Sequence, residues 1–91
     1  MDQIAKHIIF SGNVQGVGFR YTSHRIAGRY DVTGFVRNCS DGTVEMLIQG
    51  AGEQVEACLR DVQASFASDI RDTKTTELPF APGYDSFRIA F

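Results

Sequence analysis

The chain has 91 residues, and its 43% hydrophobic and 22% charged residues match the composition of one globular domain. A formal net charge of −2 and a pI near 5.5 argue against a general nucleic-acid binder, because such proteins normally carry a basic surplus. No apolar run approaches the roughly 20 residues of a membrane span, and the N-terminus lacks the basic start and apolar core of a signal peptide. We therefore expect a single domain over residues 1–91 that is cytoplasmic, monomeric and without a membrane partner.

The first third of the chain predicts a strand followed by a helix. Apolar and polar residues alternate over residues 4–11, which predicts the strand. Residues 21–30 carry apolar residues at helical spacing and predict the helix. Gly28 weakens this helix by about 1 kcal/mol relative to alanine, so we expect it to pack closely on a sheet. Asp31 stands where a helix commonly ends in the left-handed conformation.

The middle of the chain predicts a hairpin and a second helix. Residues 32–38 and 43–48 form the two strands, because the Ser-Asp-Gly sequence of residues 40–42 between them is a strong turn signal. Residues 53–66 place their apolar side chains on one helical stripe. That stripe consists of Val55, Cys58, Leu59, Val62 and Phe66.

The last third predicts two further strands. Residues 73–78 are rich in threonine and predict an edge strand, and residues 87–91 alternate as a short closing strand. The element order is then β-α-β-β-α-β plus a final β. Right-handed crossovers place both helices on one face of an antiparallel-dominated sheet, which is the ferredoxin-like α/β sandwich of the α+β class. In this topology the first and second strands run parallel on either side of the third.

Residues 12–20, Gly-Asn-Val-Gln-Gly-Val-Gly-Phe-Arg, lie between the first strand and the first helix. Three glycines in seven residues allow positive φ angles and close approach of a ligand to the backbone. Converging N–H groups, the start of the following helix and the planar guanidinium of Arg20 together suit a phosphoryl group. The alternative is a glycine-rich turn with a solvated arginine, since the stretch matches neither common glycine-rich nucleotide motif.

Asn38 closes the second strand and therefore lies at the same end of the predicted sheet as residues 12–20. An asparagine that merely starts a turn explains this position equally well. Cys39 follows it, and a cysteine-based phosphatase needs an arginine six positions later, where this chain has Glu45. That chemistry is excluded, and Cys39 is expected to be an ordinary turn residue.

The remaining metal and thiol candidates predict no further site. Cys39 and Cys58 are too few and too far apart for a disulfide framework or a zinc site, and both are expected as reduced thiols, with Cys58 in the core. His7 and His24 have no partner at metal-ligand spacing, so we expect both at the surface. No metal and no cofactor are expected.

Two segments resemble the two signature segments of the acylphosphatase family: residues 12–20 and residues 34–38. Further matches to the family pattern are Ala27, Gly42, Val44 and Gly50. The similarity is dense over residues 5–50 and continues more loosely to the closing strand. Asn13, where the family often has a basic residue, and Asp31, where glycine is common, depart from the pattern.

The resemblance implies hydrolysis of acyl phosphates to a carboxylate and inorganic phosphate. Carried over by position, it implies that Arg20 and Asn38 are the catalytic residues, with Asn38 orienting the attacking water. It also implies that the phosphoryl group is bound by the backbone amides of residues 15–20. These are Gln15, Gly16, Val17, Gly18, Phe19 and Arg20.

Two alternatives to an enzyme remain. The first is a phosphate-binding or regulatory module that keeps the anion site but catalyses nothing. The second is a ferredoxin-like nucleic-acid binder, although the basic and aromatic motif of RNA-recognition domains is absent from the sequence. Inorganic phosphate or a small acyl phosphate is therefore the expected ligand, and nucleic acid is not an expected partner.

Overall fold

The computed structural model describes residues 2–91 and contains the seven predicted elements in the predicted order. The five strands are β1 (Gln3–Gly12), β2 (Val32–Asn38), β3 (Val44–Ala51), β4 (Ile70–Leu78) and β5 (Phe87–Ala90). The two helices are α1 (Phe19–Ala27) and α2 (Gly52–Ser65). No helix within residues 2–91 has both the length and the apolar character needed to cross a bilayer.

The strands form one sheet in the order β4-β1-β3-β2-β5. β3 is antiparallel to both of its neighbours, β1 and β2, while β4 is antiparallel to β1 and β5 is parallel to β2. β1 and β2 therefore run parallel on either side of β3, as predicted. Their carboxyl ends lie at the same end of the sheet, which brings the loop after β1 near Asn38. The ferredoxin-like α+β prediction is confirmed.

Both helices pack on one face of the sheet and enclose a single core. α1 contacts β2 and β5, α2 contacts β1 and β3, and the two helices contact each other. The predicted stripe of α2 is confirmed at Val55, Cys58 and Val62, which are at most 1% exposed. Each fully buried side chain of this size contributes about 1.5–3 kcal/mol through removal of apolar surface from water.

The opposite face of the sheet is partly covered by the segment between β4 and β5. Gln49 of β3 is 1% exposed, and its side-chain amide both donates to and accepts from the backbone of Ala81 in that segment. Further along the same face, Glu45 accepts a hydrogen bond from His7 Nε2 at 2.7 Å and pairs with Arg37. His24 is exposed as predicted, but His7 is half-buried and hydrogen-bonded to Glu45, because its strand neighbours enclose it.

The end of α1 differs from the prediction. The helix stops at Ala27, and the N–H groups of Arg29 and Tyr30 bond three residues back in a tightened last turn. This turn satisfies the terminal carbonyls without a left-handed residue. Asp31 accordingly does not adopt positive φ; its N–H donates to Gln54 Oε1 at 3.0 Å.

The prediction for Gly28 is also wrong. Gly28 is exposed, and a Cβ built on it would lie nearest the carbonyl oxygen of Arg25 of its own helix, at 3.3 Å. It therefore terminates α1 and does not pack on the sheet. The predicted edge position of β4 is confirmed, although that strand begins at Ile70, three residues earlier than expected.

Candidate active site

The loop between β1 and α1 is held at both ends by buried side chains. Val14 is 0% exposed and Phe19 is 2% exposed. The Phe19 ring lies 5.0 Å from the ring of Phe10 and 4.5 Å from that of Phe66, measured between centroids. Burial of both ends in the core limits the conformations that the four residues between them can adopt.

Gly16 and Gly18 give this loop its shape. Their φ angles are 79° and 78°, in the left-handed region that favours glycine. A Cβ built on either residue would meet nothing within 4 Å, so the backbone conformation requires glycine here and side-chain crowding does not. The open space beside these residues is accessible to a ligand.

The loop and the first turn of α1 present a group of unoccupied hydrogen-bond donors. Within residues 2–91, no backbone N–H group of residues 15–20 has a hydrogen-bond acceptor. These donors surround the N-terminus of a helix, where the macrodipole is equivalent to about half a positive charge. The first turn carries no acidic residue that would neutralise it. This arrangement suits an anion.

Arg20 adds a full positive charge to the same place. Its Nη1 donates to the carbonyl oxygen of Ala90 at 3.4 Å, and its Cζ lies 5.0 Å from the centroid of the Phe91 ring. Among the described residues, Arg20 has no carboxylate within salt-bridge distance. The guanidinium is thus held from one side, and its charge is available to a ligand.

Asn38 and Arg20 line one cavity of about 320 Å³, at the lower end of the range for small-molecule sites. Five of the seven predicted site residues line it: Gly16, Gly18, Phe19, Arg20 and Asn38. The other two, Gln15 and Val17, do not. Val17 is 38% exposed, and the Gln15 side chain is directed to the turn between β2 and β3.

Four cavity residues were missed by the sequence analysis: Val14, Tyr21, Ile89 and Phe91. Ile89 and Phe91 reach the site because β5 pairs with β2 in a register that sets Ala90 opposite Arg37. Alternation along residues 87–91 predicted the strand but not its partner. The signal for Tyr21 in the sequence was that it directly follows Arg20; in the structure it is 73% exposed.

Cys39 and Cys58 are both free cysteines in the structure. Cys58 is buried in the core, and burial raises the pKa of its thiol to about 11, which keeps it protonated at neutral pH. Cys39 lies in the β2–β3 turn as expected, where its N–H donates to the carbonyl oxygen of Thr43. Among residues 2–91, no cluster of three or more potential ligands is arranged for a metal ion.

The fold and the loop define a class: ferredoxin-like proteins whose loop between the first strand and the first helix is suited to an anion. The family described as Acylphosphatase matches residues 6–89. The chain is 40% identical to the acylphosphatase of Bacillus licheniformis over 85 residues, which cover 92% of this chain and 94% of that protein. The chain therefore belongs to the acylphosphatase family, and it is a hydrolase of that family.

Solved structures show the same relationship. The crystal structure of acylphosphatase from Bacillus subtilis superimposes with a TM-score of 0.88 at 34% identity, covering 97% of this chain and 99% of that one. The crystal structure of HypF from T. kodakarensis superimposes with a TM-score of 0.83 at 30% identity, covering 97% of this chain but 12% of that one. The fold thus also occurs as a small part of a much longer chain.

Proposed function

We propose that the protein hydrolyses acyl phosphates, which are mixed carboxylic–phosphoric anhydrides, to a carboxylate and inorganic phosphate. The observation that carries the proposal is the arrangement around the cavity. Three features lie at one end of the sheet: Arg20, the N–H groups of residues 15–20 and the amide of Asn38. Among residues 2–91, Arg20 has no carboxylate partner and those N–H groups have no acceptor. We further propose that the single domain acts as a cytoplasmic monomer.

In this proposal the phosphoryl group is bound in the loop of residues 15–20. The N–H groups donate to its oxygens, and the Arg20 guanidinium contacts two of them as a planar fork. Phosphoryl transfer through a loose transition state spreads charge over three equatorial oxygens. Fixed donors aimed at those oxygens stabilise the transition state without reorganising during the reaction. The loop is suited to this because Val14 and Phe19 are already held in the core.

Asn38 orients the attacking water. Its side-chain amide has an acceptor oxygen and two N–H donors. The oxygen can accept a hydrogen bond from the water, which fixes the direction of the water's attacking lone pair. The water attacks phosphorus in line with the departing carboxylate. One water proton passes to a phosphoryl oxygen, and the P–O bond to the acyl group breaks with its electron pair on the carboxylate.

The leaving group explains the small number of catalytic residues in the proposal. A carboxylic acid has a pKa of about 4 to 5, like the side-chain acids, so the carboxylate leaves as an anion at neutral pH. No protein acid is needed to protonate it, and no covalent intermediate is needed to divide the reaction into easier steps.

The test is hydrolysis of acetyl phosphate and benzoyl phosphate by the purified protein, with and without a chelator. We expect rapid release of phosphate at the same rate in both conditions. Protection against thermal unfolding by inorganic phosphate, without turnover, would instead identify a silent phosphate-binding module. Salt-sensitive binding of an oligonucleotide without turnover would identify a nucleic-acid binder.

The role of Asn38 has its own test. We expect Asn38→Ala to lower kcat by about 100-fold or more, because misplacing one reacting atom costs this much, while KM changes little. Steady-state kinetics with benzoyl phosphate measure both constants, and Thr75→Ala on the exposed edge strand is the control. An increase confined to KM would contradict the proposed role and place Asn38 on the phosphate.

A further inference from the structure

The side chain of Gln15 is directed away from the proposed phosphate-binding loop (residues 15–20) and contacts the turn that follows Asn38. Its Nε2 donates to the carbonyl oxygen of Cys39 at 2.7 Å and to that of Thr43 at 2.8 Å. Both protons of the amide are used, and two carbonyl oxygens are its partners. The amide orientation is therefore determined, since the opposite orientation would direct Oε1 at two other acceptors.

These two hydrogen bonds join two segments that the sheet links only indirectly, through Val44 of β3, which pairs with both Phe10 and Asn38. β1 and β2 are separated by β3, so no strand pairing directly links the loop after β1 to the end of β2. Within residues 2–91, the Gln15 side chain makes the only hydrogen bonds between residues 13–18 and residues 38–43. The Gln15 side chain is thus the direct polar connection between the phosphate-binding loop and the segment that carries Asn38.

The turn that Gln15 contacts is tightly hydrogen-bonded. The N–H of Cys39 donates to the Thr43 carbonyl at 2.9 Å, and the N–H of Gly42 donates to the Cys39 carbonyl at 3.2 Å. The Thr43 N–H donates to Asp41 Oδ1 at 3.0 Å. Because the turn is internally fixed, a displacement of Cys39 and Thr43 relative to the loop moves the adjacent Asn38 with them.

We propose that Gln15 is a positioning residue, whose side chain sets the distance between Asn38 and the phosphate-binding loop. This inference rests on the proposed acyl phosphate hydrolysis. The Gln15 side chain is hydrogen-bonded to the β2–β3 turn and does not line the cavity, so it acts through Asn38 and not on the substrate. It keeps the water-orienting amide aligned with the phosphorus atom that the loop holds.

The first experiment replaces Gln15 with residues of similar length. Gln15→Met removes both donors, and Gln15→Glu places a carboxylate against two carbonyl oxygens. We expect kcat for benzoyl phosphate to fall about 10- to 100-fold, because small misplacements of a reacting group cost this much, and to fall further for Gln15→Glu. For Gln15→Met, the inhibition constant of inorganic phosphate should change less than about threefold, since Arg20 and the loop N–H groups remain. Gln63→Met, on the exposed face of α2, is the matched control.

A double-mutant cycle shows whether Gln15 acts through Asn38. In an Asn38→Ala background, Gln15→Met should lower kcat by less than about twofold, because the group that it positions is already absent. An equal loss of kcat in both backgrounds would overturn the inference. So would a loss of phosphate affinity that matches the loss of kcat.

An NMR measurement separates a failure of this inference from a failure of the proposed function. If the unmodified protein releases no phosphate, the proposed hydrolysis is wrong, whatever Gln15 does. In the unmodified protein, both side-chain N–H protons of Gln15 should exchange with solvent more slowly than those of Gln63. Gln15→Met should shift the side-chain amide resonance of Asn38. Fast exchange at Gln15, or an unmoved Asn38 resonance in a folded variant, would overturn the inference without reference to activity.

Discussion

Gly16 in the proposed phosphate-binding loop (residues 15–20) and Gly34 in β2 both have positive φ, at 79° and 138°, but their surroundings differ. A Cβ on Gly16 would meet nothing within 4 Å. A Cβ on Gly34 would lie 1.9 Å from the carbonyl oxygen of Leu47 on the neighbouring strand. The loop glycine leaves space beside the backbone, whereas the sheet glycine allows two strands to pack in contact.

This difference indicates that the loop and the sheet have separate roles, the first in binding and the second in stability. Among residues 2–91, the loop between Val14 and Phe19 leaves N–H donors and space unoccupied, so we expect it to serve binding more than folding. Sheet residues fill their space and contribute to the free energy of unfolding. Four predictions test this separation, from the largest expected effect to the smallest.

The largest expected effect is that of Arg20→Ala on catalysis. Removing one well-placed oxyanion donor costs about 10²–10³ in kcat, and here a full charge is lost as well, so kcat/KM should fall by at least this factor. Because Arg20 has no carboxylate partner among residues 2–91 and only the Ala90 hydrogen bond and the Phe91 contact are lost, the free energy of unfolding should fall by no more than about 2 kcal/mol.

Steady-state kinetics and urea unfolding measure the two quantities for Arg20→Ala. Arg25→Ala, exposed on the same helix, is the control and should retain activity. Near-normal turnover of Arg20→Ala would contradict the site assignment. A large loss of stability would contradict the separation between loop and sheet.

The second prediction concerns Gly34→Ala. Relief of the 1.9 Å contact requires β2 and β3 to move apart, so we expect a loss of about 3 kcal/mol in the free energy of unfolding. Gly16→Ala is the matched comparison, with a cost of about 1–2 kcal/mol from the left-handed backbone alone and a larger effect on kcat/KM. Urea unfolding measures both. Equal destabilisation by the two substitutions would show that the loop is as closely packed as the sheet.

The third prediction concerns Glu45, on the sheet face opposite the helices. Its contribution to the free energy of unfolding should be lost in acid. The hydrogen bond from His7, together with the pairing to Arg37, holds the pKa of Glu45 below its ordinary value of 4.5, against the opposing effect of burial. A depressed pKa in the folded state gives stability that is fully present above pH 4.5 and is lost as the pH falls through the lower folded value.

Glu45→Gln should lower stability by about 1 kcal/mol at neutral pH and reduce the slope of stability against pH below 4.5. Urea unfolding between pH 3 and 7 measures this, with Glu77→Gln on the exposed edge strand as the control. If the free energy of unfolding falls with pH below 4.5 equally in Glu45→Gln and in the unmodified protein, the ion pair of Glu45 with Arg37 contributes nothing to folding. The kcat of the folded protein at pH 7 should be unaffected.

The smallest expected effect is that of Phe91→Leu. The Arg20 guanidinium lies 5.0 Å from the Phe91 ring, whose attraction at an exposed site contributes about 0.5–1 kcal/mol. Replacement by an apolar residue without a π face should lower kcat/KM by about two- to fivefold, and Phe91→Tyr should restore it. Phe80→Leu, also exposed but remote from the cavity, is the control. Unchanged kinetics would show that the Ala90 carbonyl alone orients Arg20.

Much of the site was predictable because its parts are local. The glycine spacing of residues 12–20 and the start of a helix after it are properties of adjacent residues, and so is the position of Asn38 at the end of a strand. Strand alternation and helical periodicity also determined the order of the elements. From that order, the parallel arrangement of β1 and β2 followed, and with it the prediction that the loop and Asn38 share one edge of the sheet.

Only the tertiary structure decided the contacts between distant segments. The pairing of β5 with β2 brings Phe91 to Arg20, and the Gln15 side chain reaches a turn 24 residues away. Gly34 is required by a carbonyl on another strand, which no local pattern reveals. Periodicity records which face of an element is buried, because that preference acts within a few residues. It does not record which strand lies beside it or in what register, because those depend on long-range packing of the whole sheet.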